Sequence, residues 1–152
     1  MTMKIVLQKV SHALVSNNEM YNEINDGYCL LVGVSKTSTM DDAKALAKKI
    51  ASARVFEDND GKINLSIKEV GGQILSVSQF TLYASLKKGN RPSFTEAASG
   101  DDAKGLYQAF NEGLRDEGLI VKEGFFGEHM DVRLVNDGPI TLIYEAVDGK
   151  IV

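Results

Sequence analysis

The chain has 152 residues, of which 43% are hydrophobic and 25% charged, with a net charge of −4. That length carries one buried core, and that composition excludes a disordered chain. The acidic balance excludes a general nucleic-acid coating protein, whose affinity comes from neutralising many phosphates, but is compatible with a small footprint on one end of an RNA. No apolar run reaches the roughly 18 residues of a bilayer-spanning helix. The stretch Met1–Lys9 turns polar too early for a signal peptide. The single cysteine, Cys29, excludes an internal disulfide and fits a reducing compartment, so a cytoplasmic protein with no membrane partner is expected.

In chain order, Met3 to Val10 alternates and is rich in Ile, Val and Leu, which predicts a first strand. Ala13–Ser16 and Met20–Ile24 flank Asn17-Asn18-Glu19, a hairpin signal. Asn25-Asp26-Gly27 predicts a turn into an apolar strand, Tyr28 to Val34, where Cys29 reads as a buried structural thiol rather than a nucleophile. Asp41-Asp42 opens a helix over Ala43–Ala53. A turn is expected at Asp58-Asn59-Asp60-Gly61, and Gly71-Gly72 precedes a β-branched strand, Gln73 to Phe80. A second helix is predicted over Asp101–Glu117, capped by Ser99 or Asp101 and ended near Gly118. Leu119–Lys122, Met130–Val135 and Ile140–Ala146 read as the last strands. With no repeat or linker, residues 1–152 form a single domain. Its class is α+β, a curved, barrel-like, mostly antiparallel sheet flanked by two main helices.

The common catalytic signatures are absent. There is no Gly-rich phosphate loop and no G-x-S-x-G elbow. The two histidines, His12 and His129, lie far apart in sequence, and no Cys/His cluster has metal spacing, so neither a metal nor a cofactor is expected. Two segments are locally dense. Ser78-Gln79-Phe80-Thr81-Leu82 runs from a buried strand into small polar residues and can present backbone N–H groups and a hydroxyl to one cleft, although Thr81 alone is also a good strand residue. Asn136-Asp137-Gly138-Pro139-Ile140-Thr141 reads as a turn between two strands, and Gly-Pro is a place where a cis bond is accessible. Cis geometry there would aim two carbonyl oxygens the same way, toward a ligand ammonium. Lys87, Lys88 and Arg91 form the densest cation cluster, either a solvated loop or a contact to phosphates.

Taken together, these runs resemble the D-aminoacyl-tRNA deacylase family, which carries an S-Q-F-T-L run and an N-x-G-P-x-T run. The likeness extends, in the same order along the chain, to Leu7–Val10, Asp60–Leu65 and Gly89-Asn90-Arg91-Pro92-Ser93-Phe94. The resemblance implies a homodimeric hydrolase acting on the 3′-terminal adenosine of aminoacyl-tRNA and its amino acid, with no DNA partner. It implies that a cis Gly138-Pro139 pair reaches into the partner subunit's pocket, captures the α-ammonium group and leaves no room for an L side chain. Asn136, Met130 and Phe126 would join it in substrate binding and chiral selection. Ser78, Gln79, Phe80 and Thr81 would line the pocket for the adenosine and the ester carbonyl. Thr81 is either the attacking hydroxyl or a positioning group; with no histidine close in sequence to activate it, the positioning role is preferred.

Two positions depart from the family pattern. Lys9 stands where arginine is common and cannot supply the same planar fork, so bracing of the Gly-Pro segment would be weaker. Glu128-His129 replaces a small-plus-acidic pair, leaving His129 as a surface or pocket-rim residue. Two rival readings remain open at this point: a module that binds charged tRNA or a D-amino acid without turnover, and a deacylase with a trans Gly-Pro acting on small L-aminoacyl-tRNA.

Overall fold

The computed structural model describes residues 1–152. The first strand, β1 (Met3–Ser16), is one continuous element in which alternate side chains such as Met3, Ile5 and Leu7 are buried. A turn at Asn17–Met20 folds β2 (Tyr21–Ile24) back onto its far half, so the expected hairpin is present but its first arm is the end of β1. Next come β3 (Gly27–Gly33), the helix α1 (Met40–Ala51) and a small separate hairpin of β4 (Phe56–Glu57) and β5 (Ile63–Leu65) around the expected Asp58–Gly61 turn. Then follow β6 (Gln73–Ser78), α2 (Gly100–Asp116), β7 (Val121–Glu123), β8 (Asp131–Val147) and the short β9 (Lys150–Ile151).

The main sheet runs β7-β6-β3-β1-β8-β9, with β2 attached to β1. Pairing is antiparallel from β3 through β9 and parallel at β3–β6 and β6–β7. The α+β class with a curved sheet and two main helices is therefore as expected, and the sheet is mixed. The two parallel joins arise because α1 and α2 each supply a crossover between neighbouring strands.

Three boundaries differ from those predicted. The first helix starts at Met40, because Thr39 is the N-cap and forms a capping box with Asp42. The strand predicted to reach Phe80 ends at Ser78, and Phe80–Tyr83 forms a 3-10 turn. The two strands predicted across 130–146 are one 17-residue strand.

The main core lies between the sheet and the helices and joins β1, β3 and β6 side chains to Leu46, Ile50, Phe110 and Leu114. Each such fully buried aliphatic contributes about 2 kcal/mol. A second cluster around Val10, Ala13, Val15 and Val77 includes Cys29, whose thiol is pushed up to about 11 by burial and stays protonated. No helix is long and apolar enough to cross a membrane.

One buried carboxylate holds the C-terminal hairpin to the first helix. Asp42 accepts from the Thr39 N–H at 2.9 Å through one oxygen and from the Gly149 N–H at 2.7 Å through the other. Asp42→Ala orphans both donors and removes a charged acceptor, an expected loss of about 2 kcal/mol. Thermal unfolding should show this as a fall in Tm of about 5 °C.

Candidate active site

The β6 strand delivers its last residues to a recess at its C-terminal end. Backbone pairing continues one residue beyond the strand, with the Gln79 N–H donating to the Val32 carbonyl at 2.8 Å. The chain then tightens into the 3-10 turn, whose first internal bond runs from the Leu82 N–H to the Gln79 carbonyl. The N–H groups of Phe80 and Thr81 precede that bond and have no partner within the turn. Gly33 allows the turn to sit so low: a Cβ there would lie 2.9 Å from Leu82 Cβ and 3.2 Å from the Tyr83 ring. Tyr83 pins the end of the turn by donating its hydroxyl to the Thr2 carbonyl, and burial pushes that phenol up to about 12, so it remains a donor.

The recess has a volume of about 680 Å³, within the range of small-molecule sites. Ser78, Gln79 and Phe80 form one wall, and Phe126 and Met130 form the other. Thr81 flanks it, its hydroxyl accepting from Gln79 Nε2. An amide is no base, so this partner orients the hydroxyl and does not deprotonate it. At the mouth, Phe80 meets Phe94 edge-on at 5.0 Å, both rings substantially exposed. The sequence around Phe94 carries no signal that distinguishes a rim aromatic from a core one. Glu128 and His129 lie on the rim.

Lys87, Lys88 and Arg91 are exposed and do not line the recess. They belong to the loop closed by the Ser85–Ser93 bridge, which follows the 3-10 turn. Gly138, Pro139 and Asn136 are likewise not brought to the recess of their own subunit; all three are exposed.

The segment around Gly138-Pro139 is not the turn between two strands that the sequence suggests. It is a bulge inside β8. Between the pairs Gln8–Thr141 and Val10–Asn136, β1 spends only Lys9 while β8 passes through Asp137, Gly138, Pro139 and Ile140. Proline has no N–H for the ladder, which confines it to such an interruption. Gly138 has φ +136°, and a Cβ there would lie 3.0 Å from the Ile140 nitrogen, so glycine is required. The Gly138–Pro139 bond is cis. Beneath the bulge Lys9 is almost fully buried, its Nζ 3.4 Å from Asp137 Oδ2 and 5.2 Å from the centre of the Phe56 ring. The departure at this position thus places a single point charge, not a bidentate fork, against the residue preceding Gly138.

On either side of the bulge, β8 leaves Val135 and Ile143 more than half exposed. Their partners on β1 are His12 and Val6, and the register shift between these pairs places the two residues on opposite faces of the sheet.

Comparison with known proteins places this geometry in context. The family model described as D-Tyr-tRNA(Tyr) deacylase matches residues 6–145. A D-aminoacyl-tRNA deacylase of Staphylococcus epidermidis is 58% identical over 150 residues, covering 99% of this chain and all of the relative. A D-aminoacyl-tRNA deacylase of Staphylococcus aureus is 56% identical over 149 residues, covering 98% and 99%. Among solved structures, one called c-Myc DNA Unwinding Element Binding Protein superposes with a TM-score of 0.87 at 39% identity, covering 95% of this chain and 99% of that one. Another, described as "a probable eukaryotic D-amino acid tRNA deacylase", has a TM-score of 0.82 at 19% identity, covers 96% of this chain and all of that one, and speaks to the fold alone.

Proposed function

The chain belongs to the D-Tyr-tRNA(Tyr) deacylase family, and from that premise we propose how its residues hydrolyse D-aminoacyl-tRNA and turn away the L form. The activity is that of a D-aminoacyl-tRNA deacylase, a hydrolase of the ester that joins amino acid to tRNA. The observation that carries the reading is the separation of two half-sites. The recess presents Ser78, Gln79, Phe80, Phe126 and Met130, while Gly138-Pro139 stands exposed on a bulge away from it.

In this reading two chains associate about a two-fold axis, and each exposed bulge enters the partner's recess. The terminal adenosine and the ester carbonyl occupy the recess. The carbonyl oxygens of Gly138 and Pro139 from the other subunit hold the α-ammonium group, with Asn136 beside them. Lys9 supports the bulge through Asp137.

The ester is already activated, so water suffices as the nucleophile. Its attack puts negative charge on the carbonyl oxygen, where N–H groups at the start of the 3-10 turn act as donors. Such donors contribute a few kcal/mol of transition-state stabilisation. The tetrahedral intermediate then expels the ribose oxygen, releasing free D-amino acid and tRNA, and the vicinal ribose hydroxyl helps orient the water. The compartment consistent with this substrate is the cytoplasm. The partner is tRNA and not DNA, in keeping with a net charge of −4 and only a short cationic loop.

Turnover of D-tyrosyl-tRNA tests the reading. Many equivalents of D-tyrosine per subunit are expected; retention of charged tRNA without repeated release would make the protein a binding module. In the same assay Thr81→Ala is expected to lower kcat by about tenfold and to leave hydrolysis measurable, as the loss of one positioning hydroxyl should. Mass spectrometry of the wild type should find no aminoacyl ester on Thr81, and trapping one would make it the nucleophile.

The cationic loop carries a separate expectation. Lys87, Lys88 and Arg91 contact phosphates near the acceptor end, so replacing all three with alanine should raise KM, spare kcat and flatten the dependence of KM on salt by about two to three charges. An unchanged salt slope would leave the loop as solvated surface.

A further inference from the structure

The two walls of the recess diverge from one backbone atom, the Ser76 carbonyl oxygen on β6. It accepts the Gly124 N–H at 2.9 Å, the bond that follows the last β6–β7 pair, Ser76–Glu123. Beyond this point one chain runs on to Ser78, Gln79 and Phe80, and the other to Phe126 and Met130. The same oxygen accepts a second bond, 2.6 Å long, from the hydroxyl of Tyr107 on α2. Tyr107 is 1% exposed, and its ring lies against Phe126 with centroids 5.9 Å apart and planes tilted by 33°.

We infer that Tyr107 is a positioning residue for the reaction: its hydroxyl fixes the fork from which both walls start, and its ring sets how far Phe126 stands from Ser78–Phe80. The inference rests on the hydrolysis proposed above. A carbonyl oxygen has two lone pairs, and here both are used, so the fork is fixed from the helix side as well as within the sheet. Burial pushes the phenol up to about 12, which keeps it a proton donor throughout the range in which the ester is stable enough to assay. Phe126 has no hydrogen bond of its own, so its place depends on what backs it. When catalysis works by placing a carbonyl against fixed donors, small displacements of a wall are expressed in kcat.

Tyr107→Phe removes the hydroxyl and keeps the ring, and Gly124 still satisfies the Ser76 oxygen, so the fold is retained. With D-tyrosyl-tRNA, at a temperature well below unfolding, kcat should fall roughly five- to tenfold while KM changes by less than about twofold. Tyr107→Phe and Phe126→Leu should combine to much less than the product of their separate effects, because both act on the same wall. Full additivity, or a variant with lower Tm but wild-type kcat per folded molecule, would reduce Tyr107 to a structural residue. A second readout does not depend on the reaction. Amide exchange at Gly124 should be faster in Tyr107→Phe than in the wild type, with core amides of β1 unchanged. Wild-type exchange at Gly124 would overturn the inference, whereas a wild type without turnover would overturn the proposed hydrolysis instead.

Discussion

Alanine at Gly138 is expected to lower turnover of D-aminoacyl-tRNA by at least about 100-fold while the protein remains folded, and mixing with a second impaired variant is expected to restore it in part. The residue sits at φ +136°, where an L side chain is strained, and a Cβ would press on Ile140. Relief of that contact moves the carbonyls of Gly138 and Pro139. Because the bulge is exposed and outside the main core, secondary structure and Tm should change little. The second variant combines Gln79→Ala and Thr81→Ala, which removes the hydrogen-bonded pair of side chains at the start of the 3-10 turn. Mixed under conditions of subunit exchange, half of the dimers carry one of each chain. If the bulge serves the partner's recess, one site of every mixed dimer holds both lesions and the other holds none, so about a quarter of all sites recover. If the bulge serves its own recess, every site keeps a lesion and activity does not rise above that of the separate variants.

Parts of this geometry are legible in the sequence and parts are not. Alternating apolar residues announced β1, β3 and β6, and acidic residues at the start of each helix announced α1 and α2, because those signals are local. The Thr39–Asp42 capping box is equally local, and it sets the helix start ahead of Ala43, the first apolar residue of the buried face. The long strand β8 was split at Gly138-Pro139, since glycine followed by proline ordinarily marks a turn. Only the pairing with β1 distinguishes a bulge from a turn, and pairing is not visible along a single segment. The parallel joins of β6 and β7 were missed for the same reason.

At the site, Ser78, Gln79 and Phe80 were recognisable as a group because they are consecutive, and the recess unites them with Phe126 and Met130. Tyr107 gave no signal. It occupies a buried position on an amphipathic helix, where an aromatic residue is usually core, and its hydroxyl partner is 31 residues away. Lys9 was noticed as a departure, but its partner Asp137 emerges only when β1 and β8 are laid side by side. What sequence conveyed was the local chemistry, and what it withheld was every contact that depends on strand register.

The central claim is selection by handedness, and its logic is steric. With the α-ammonium held by the carbonyls of Gly138 and Pro139, and the ester carbonyl held by the 3-10 turn, two of the four substituents on the α-carbon are fixed. Inverting the centre exchanges the hydrogen and the side chain. One hand then directs its side chain outward, and the other drives it into the wall of the recess. A clash of about 4 kcal/mol corresponds to roughly a thousandfold in rate. The direct measurement is release of tyrosine from D-tyrosyl-tRNA and L-tyrosyl-tRNA, side by side, at equal enzyme and equal salt. The account predicts D-tyrosine released at least about 1000 times faster than L-tyrosine by kcat/KM. Comparable rates on the two substrates would contradict it.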